Sequence, residues 1–237
     1  MKTFVMIPTY NEKENIRNLI DKILKLNIKD LHIVVVDDNS PDGTWKIVQE
    51  ISKKNKNVHL LLRKKDKGRG SAGKDGFIYC LRHNADIIIE MDADMSHDPK
   101  YIPAMLKEME NADLVLGSRR IEGAKEVGRS FFRRIITNLA NLYIRTMLGL
   151  KVKDCNSGFR CFKRKVLEKT AETLESKGPS IVQEVLFKAH LKGFRIKEIP
   201  ITFVDRTKGH SKLGIPQLLA AYFMVLRLKM QHLFGKI

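Results

Sequence analysis

A three-layer α/β fold around a central, mostly parallel mixed sheet is predicted for this chain by three features of its 237 residues. Short apolar runs alternate with amphipathic stretches through the first half, the strand-then-helix order that builds parallel sheets. The residues directly after those runs are polar, as at Asp37-Asp38-Asn39-Ser40 and Asp92-Ala93-Asp94, and open α/β sheets bind their ligands at such strand ends. The composition, 43% hydrophobic and 30% charged, is that of a globular chain long enough to bury a full core.

The elements follow in order. Residues 4–7 read as the first strand. Residues 11–26 read as a helix, with Ile16, Leu19, Ile20, Ile23 and Leu24 at helical spacing. Further strands are expected at 33–36, 59–62, 87–91 and 114–116. Asp98-Pro99 reads as an N-cap followed by proline in the first turn of a helix. The second half opens with a long amphipathic stretch at 129–150 and the segment D-C-N-S-G-F-R-C-F at 154–162. Helix and strand patterns then run to Val204. We expect one catalytic domain over 1–214, divided into halves at 1–118 and 119–214, and an amphipathic helix over 215–237.

Charge divides along the same line. The formal charge is +17, yet residues 1–118 hold 19 basic and 18 acidic side chains, against 25 and 9 in residues 119–237. The second half also carries Phe131, Phe132, Ile135, Ile136 and Leu139, so its excess belongs to a folded surface facing something negative. Cys80, Cys155 and Cys161 are odd in number and lack C-x-x-C spacing, which points to reduced, structural thiols. The start M-K-T-F-V-M-I-P has no signal-peptide pattern, and a cytoplasmic location is expected. The apolar run at 218–226 falls far short of the roughly 20 residues that span a bilayer.

Two motifs compete for the chemistry. Asp92-Ala93-Asp94 places carboxylates at i and i+2 beyond a buried strand, where both can reach a hard divalent ion such as magnesium or manganese. Gly68-Arg69-Gly70-Ser71-Ala72-Gly73 is a literal G-x-G-x-x-G, but a dinucleotide fingerprint needs a strand running into its first glycine. Here Arg63-Lys64-Lys65-Asp66-Lys67 intervenes. The segment therefore reads as a basic glycine-rich loop, near a nucleotide or merely solvated.

Taken with I-P-T-Y-N-E at 7–12, V-V-V-D-D-N-S-P-D-G-T at 34–44, D-A-D-M-S-H-D-P at 92–99 and G-S-R at 117–119, the chain resembles the family-2 glycosyltransferases of GT-A fold. Its second half, through 154–162 and E-I-P-I-T-F-V-D-R-T-K-G-H-S-K-L-G at 198–214, resembles the dolichyl- or polyprenyl-phosphate mannose synthases. The resemblance runs from Thr3 to about Gly214. It implies a pocket for base and ribose at Pro8, Tyr10, Glu12, Val36 and Asp38. It implies a diphosphate and metal site at Asp92, Ala93 and Asp94, with Ser96 as a further ligand. Arg119, Arg206 and Lys212 match residues that hold phosphates, and Arg133 with Thr137 matches the acceptor-phosphate site. Arg120 and Arg69 depart from the family pattern, standing where an aromatic and an apolar residue are common. Q-x-x-R-W, the mark of processive synthases, is absent, and the lone Trp45 is expected to pack the start of a helix.

The implied reaction is inverting transfer of mannose from GDP-mannose to dolichyl or polyprenyl phosphate, the same chemistry with UDP-glucose being the nearest rival. Its main demand is stabilisation of charge on the departing diphosphate, met by a divalent ion with Arg206 and Lys212. A phosphate acceptor, with a second pKa of about 6, is largely dianionic at neutral pH and needs orientation more than a general base. Arginine forks suit that role. The basic amphipathic stretch at 129–150 and the tail at 215–237 suit a membrane interface. Peripheral attachment at the cytoplasmic face, directly or through a small membrane-anchoring subunit, is the expectation. A nucleic-acid binder, suggested by a pI near 9.8, fits worse, because the basic residues are not interleaved with aromatics and three acidic strand ends would repel phosphates.

Overall fold

The computed structural model describes residues 1–205 and 215–235. The chain runs β1 (Thr3–Thr9), α1 (Ile16–Leu24), β2 (Leu31–Asp37), α2 (Thr44–Lys54), β3 (Val58–Leu62), α3 (Arg69–Arg82), β4 (Ile87–Glu90), α4 (Ile102–Glu108) and β5 (Leu114–Ser118). It continues through β6 (Lys125–Val127), α5 (Phe131–Leu148), β7 (Arg160–Lys163), α6 (Arg164–Thr170), α7 (Ile181–Leu191), β8 (Ile196–Pro200), β9 (Thr202–Val204) and α8 (Ile215–Leu233).

Seven strands form the main sheet in the order β3-β2-β1-β4-β7-β5-β8. Only β7 is antiparallel to its neighbours; Glu90 on β4 and Arg160 on β7 are register partners. The mostly parallel mixed sheet expected from the alternating pattern is present. β6 and β9 pair in parallel as a separate two-stranded sheet. Alternate strand residues feed two cores. Val5, Ile7, Ile33 and Val35 pack with Ile16, Leu19, Ile20 and Ile23 of α1 and with Ile102 and Met105 of α4. Phe4, Met6, Val34 and Val36 face the opposite layer, with Phe77 of α3, Val185 of α7, Ile144 of α5 and Val225 of α8. The result is helix, sheet, helix, each face dry because both are covered.

Several local readings change. Asp98 does cap the turn at Pro99–Tyr101, its Oδ1 accepting from the Lys100 N–H at 3.0 Å. The first helix starts at Ile16 rather than residue 11, because Asn11 lies at φ 61° and its N–H bonds the Ser40 hydroxyl at 3.0 Å. This ties the polar segment to the next strand's loop. The three cysteines are free and buried, and burial raises each thiol pKa, that of Cys155 to about 12.

The glycine-rich segment is a correction. Residues 69–73 are the first turns of α3, and the glycines exist for close approach. A Cβ on Gly70 would lie 2.1 Å from the Ser176 carbonyl oxygen and 2.6 Å from that of Gly178; one on Gly76 would lie 2.7 Å from Met6 Cγ. The Gly70 N–H donates to the Lys177 carbonyl at 2.9 Å. A sequence motif cannot tell a glycine that admits a phosphate from one that admits another backbone. Gly70→Ala should therefore destabilise the fold by about 3 kcal/mol, since backbone has to move; a chemical-denaturation midpoint unchanged from wild type would contradict the packing role.

Candidate active site

β1, β2, β4 and β5 end on one edge of the sheet, and β7 begins there. Along that edge the chain gathers its acidic residues. Asp92 and Asp94 follow β4 in a tight loop whose Met95 sits at φ 64°, a region unusual for a long side chain. The turn brings Ser96 back under Asp94: its N–H and its hydroxyl both donate to Asp94 Oδ1, at 3.1 and 2.6 Å. Ser96 is buried, so it orients the Asp94 carboxylate. The Asp92 N–H donates to His97 Nδ1 at 3.2 Å, and the His97 ring stacks on Phe159 with centroids 5.2 Å apart. Burial keeps this imidazole's pKa below the ordinary value, although Asp92 and Asp94 pull it upward. A ring neutral at Nδ1 is what accepting that N–H requires.

Beneath Asp92 lies a charge network. Arg69, from the start of α3, donates to Glu90 Oε1 at 2.7 Å and to Asp92 Oδ1 at 3.2 Å. Arg160, fully buried, pairs with Glu90 Oε2 and donates to the Val182 carbonyl at 3.0 Å. Burial disfavours the Arg69 cation, but Glu90 and Asp92 outweigh it and raise its pKa above the usual guanidinium value. In the sequence Arg69 stands out only as a departure from the family pattern, and nothing there marks Arg160. The available signal was a glutamate closing the otherwise apolar strand Ile87-Ile88-Ile89-Glu90, which demands a buried cation.

The segment 154–162 lies under the same edge. Asp154, fully buried, holds Arg119 through Nε at 2.7 Å, Nη2 at 2.8 Å and the backbone N–H at 3.0 Å. Burial alone would raise the Asp154 pKa; hydrogen bonding and charge from Arg119 more than reverse that and hold it low. Ser157 donates to the Gly117 carbonyl at 2.6 Å. At Gly158 a Cβ would stand 3.0 Å from Asp92 Oδ2. Arg119 also lies over the Phe203 ring, 5.0 Å from its centroid.

The residues expected around a nucleotide are placed unevenly. Pro8 and Val36 are buried register partners of β1 and β2, with the Val36 side chain in the core. Tyr10 is exposed. Glu12 accepts from Asn15 Nδ2 at 2.9 Å, and its N–H donates to Thr44 Oγ1 at 2.9 Å. Asp38 pairs with Arg63 and accepts the Gly68 N–H at 2.7 Å, anchoring the approach to α3. Arg63, which also reaches Asp75 at 2.7 Å, was not foreseen. Ala93 is buried between the two carboxylates.

Of the residues expected to hold the acceptor phosphate, Arg133 donates to Asp205 Oδ2 at 2.9 Å and is half-exposed. Thr137 donates to the Arg133 carbonyl at 2.8 Å and accepts from Arg129 Nη2 at 2.7 Å. Arg119 and Arg129 both lie over Phe203, which links the β5 end to the approach to α5. Arg206 and Lys212 lie outside the described residues.

Asp92 and Asp94 offer hard oxygen donors of the kind a magnesium or manganese ion takes. Among the described residues no group of three or more His, Cys, Asp and Glu side chains is assembled for a metal. An ion held by these two carboxylates would complete its shell with water and ligand oxygens.

Comparison with known proteins agrees with this architecture. The pattern of glycosyl transferase family 2 matches residues 4–171. An undecaprenyl-phosphate mannosyltransferase of Micrococcus luteus is 38% identical over 215 residues, covering 90% of this chain and 88% of that protein. A polyprenol monophosphomannose synthase of Mycolicibacterium smegmatis is 36% identical over 227 residues, covering 94% and 85%. Among solved structures, a glucosyl-3-phosphoglycerate synthase of Mycobacterium tuberculosis, crystallised with Mn2+, UDP and glucosyl-3-phosphoglycerate, superposes with a TM-score of 0.65 at 19% identity, over 98% of this chain and 79% of that one. A mannosyl-3-phosphoglycerate synthase of Rubrobacter xylanophilus gives 0.65 at 19% identity, over 100% and 76%. At such identity these two speak for the fold, which is GT-A. With a family match over most of its length and relatives above a third identical across both chains, the protein belongs to glycosyl transferase family 2.

Proposed function

We propose that the protein catalyses inverting transfer of mannose from GDP-mannose to a polyprenyl or dolichyl phosphate. The observation that carries this reading is the meeting, at one sheet edge, of the Asp92/Asp94 carboxylates with the Asp154-clamped Arg119, next to α5, which bears Arg133 and exposes Phe131 and Phe132 at 73% and 76%. Donor carboxylates, phosphate-binding arginines and an apolar approach thus adjoin one another. The two mannosyl-transferring relatives support the choice of sugar and acceptor.

In this reading Tyr10, Glu12 and Asp38 border the nucleoside, and Asp92 and Asp94 face the diphosphate. Ser96 fixes the direction of Asp94. When bound there, a magnesium or manganese ion supplies charge neutralisation for the departing diphosphate. Arg119 is pre-oriented by Asp154, so its placement costs little conformational entropy during reaction. Arg133 and Thr137 hold the acceptor phosphate, whose oxygen attacks the anomeric carbon opposite the leaving group. We assign the diphosphate's remaining counter-charge to Arg206 and Lys212 by their positions in the family pattern. No general base is required of the chain, because the nucleophile is already an anion.

The lipid reaches the site from a membrane surface, on which the protein sits peripherally at the cytoplasmic face, unaided or with a small anchoring subunit. No described helix is long and apolar enough to cross a membrane. The exposed row Phe131, Phe132, Ile135, Ile136, Leu139 and Leu142 on α5, with Phe223, Leu233 and Phe234 at the far end of the chain, supports interfacial contact.

Arg133→Ala tests the acceptor assignment. It should raise the KM for polyprenyl phosphate about tenfold, the worth of one charge-assisted contact, and leave the KM for sugar nucleotide within twofold. An unchanged acceptor KM would remove Arg133 from the site. Donor identity is tested by thermal unfolding with manganese present: GDP-mannose should raise the midpoint more than UDP-glucose, and the reverse order would favour the glucosyl reading.

A further inference from the structure

Beside α5, adjoining the Arg119–Asp154 clamp through Arg120 and Lys153, a cleft of about 220 Å³ is lined by Arg120, Asn138, Asn141, Leu142, Arg145 and Lys153. Three of the six are cations, two are carboxamides and none is a carboxylate. Arg120 is partly compensated by Glu126 at 3.1 Å. Arg145 and Lys153 make no salt bridge among the described residues.

The polar groups here leave donors over. Asn141 is 4% exposed. Its Oδ1 accepts the Cys155 N–H at 3.0 Å and Asn156 Nδ2 at 2.8 Å. Those two donors fix which end of the amide is oxygen. Its NH2 group is left buried with no acceptor among the described residues, and so are Arg120 Nε and Arg145 Nε. Buried N–H groups are nearly always satisfied, and these three belong to side chains lining one cleft. A water molecule would supply an oxygen but no charge. An oxyanion supplies several acceptor oxygens together with negative charge, and guanidinium forks match phosphate oxygens best.

We propose that this cleft is a second phosphate-binding site, separate from that at Arg133 and Thr137. Arg133 and Arg145 are 12 residues apart on α5, about 18 Å along the helix axis. One phosphate group does not reach both arginines, although Asn138 and Asn141 of the cleft adjoin Thr137 on the helix. The ligand chemistry is a phosphate group, free or esterified. Leu142 lines the cleft while remaining 57% exposed in line with the apolar row of α5, so a phospholipid headgroup with its chains along that row fits, as does free phosphate. The site does not depend on which sugar is transferred.

The test uses the full chain labelled with nitrogen-15, following the Nε–H resonances of Arg120 and Arg145. Inorganic phosphate is titrated in one arm. Vesicles of phosphatidylcholine with phosphatidylglycerol, and of phosphatidylcholine alone, are titrated in the others. Both resonances should shift, in wild type and in Arg133→Ala alike, with inorganic phosphate if free phosphate is taken. A response confined to the phosphatidylglycerol vesicles identifies the headgroup. Arg145→Gln should weaken the Arg120 response about tenfold. Lys153→Gln, an exposed change that leaves the fold intact, should weaken it about threefold. Resonances that move in no arm overturn the proposal, as does a response lost in Arg133→Ala or unaltered in both cleft variants.

Discussion

Asp94→Ala is expected to lower sugar transfer about a thousandfold or more, the scale of removing a principal stabiliser of leaving-group charge, while the fold is kept. The carboxylate sits at a loop tip, and its described partner is Ser96, whose N–H and hydroxyl bond Asp94 Oδ1. Ser96 is buried, so removing the carboxylate leaves its N–H and hydroxyl short of an acceptor. Stability should fall by about 1–3 kcal/mol, the cost of unsatisfied buried donors, which leaves the chain folded. Chelation of divalent ions should reproduce the loss in the wild type and add little in the variant. Activity within tenfold of wild type, in Asp94→Ala or in excess EDTA, would separate the carboxylate pair from the chemistry.

Glu90→Gln is expected to cost about 3–5 kcal/mol of folding stability, the penalty for leaving a buried charge without its counter-ion. The change is nearly isosteric, so packing is preserved and the effect reports charge alone. Glu90 and Arg160 are both wholly buried, and Arg69 shares the same carboxylate at 2.7 Å. Without it, Arg160 keeps only the Val182 carbonyl among its described hydrogen-bond partners. Adding Arg160→Met should recover much of the loss, because an apolar side chain of similar length replaces the stranded cation. The measurement is equilibrium denaturation of wild type, single and double variants. A single-variant loss under about 1 kcal/mol, or no recovery in the double, would show that the network is not held by charge.

Where structure was legible in the sequence, a short-range pattern dictated it. The apolar runs of β1, β2, β4 and β5 and the helical spacing around Ile16–Leu24 specify their elements because burial fixes their periodicity. The place of Asp92 and Asp94 just beyond a buried strand was legible as well, whereas a metal role for them rests on the family resemblance, because most isolated D-x-D triplets only cap strands and turns. β7 was not. Arg160-Cys161-Phe162-Lys163 is short, and its antiparallel place between β4 and β5 is set by contacts more than forty residues away in sequence. The glycines of α3 misled for a related reason. Gly70 answers to the backbone at 176–178, which no window around residue 70 contains. The Arg119–Asp154 clamp and the Arg69–Glu90–Arg160 network likewise join distant segments. The motif at 154–162 is visible as a string of letters, and its meaning as support for Arg119 and Asp92 appears only once the chain is folded.

The most direct measurement is transfer of radiolabelled sugar to polyprenyl phosphate by the purified protein with manganese, comparing GDP-mannose with UDP-glucose. Label should enter the lipid fraction from GDP-mannose and not from UDP-glucose, and should vanish in Asp94→Ala. Lipid labelled only from UDP-glucose, or not labelled from either donor, would contradict the mannosyl transfer proposed for this sheet edge.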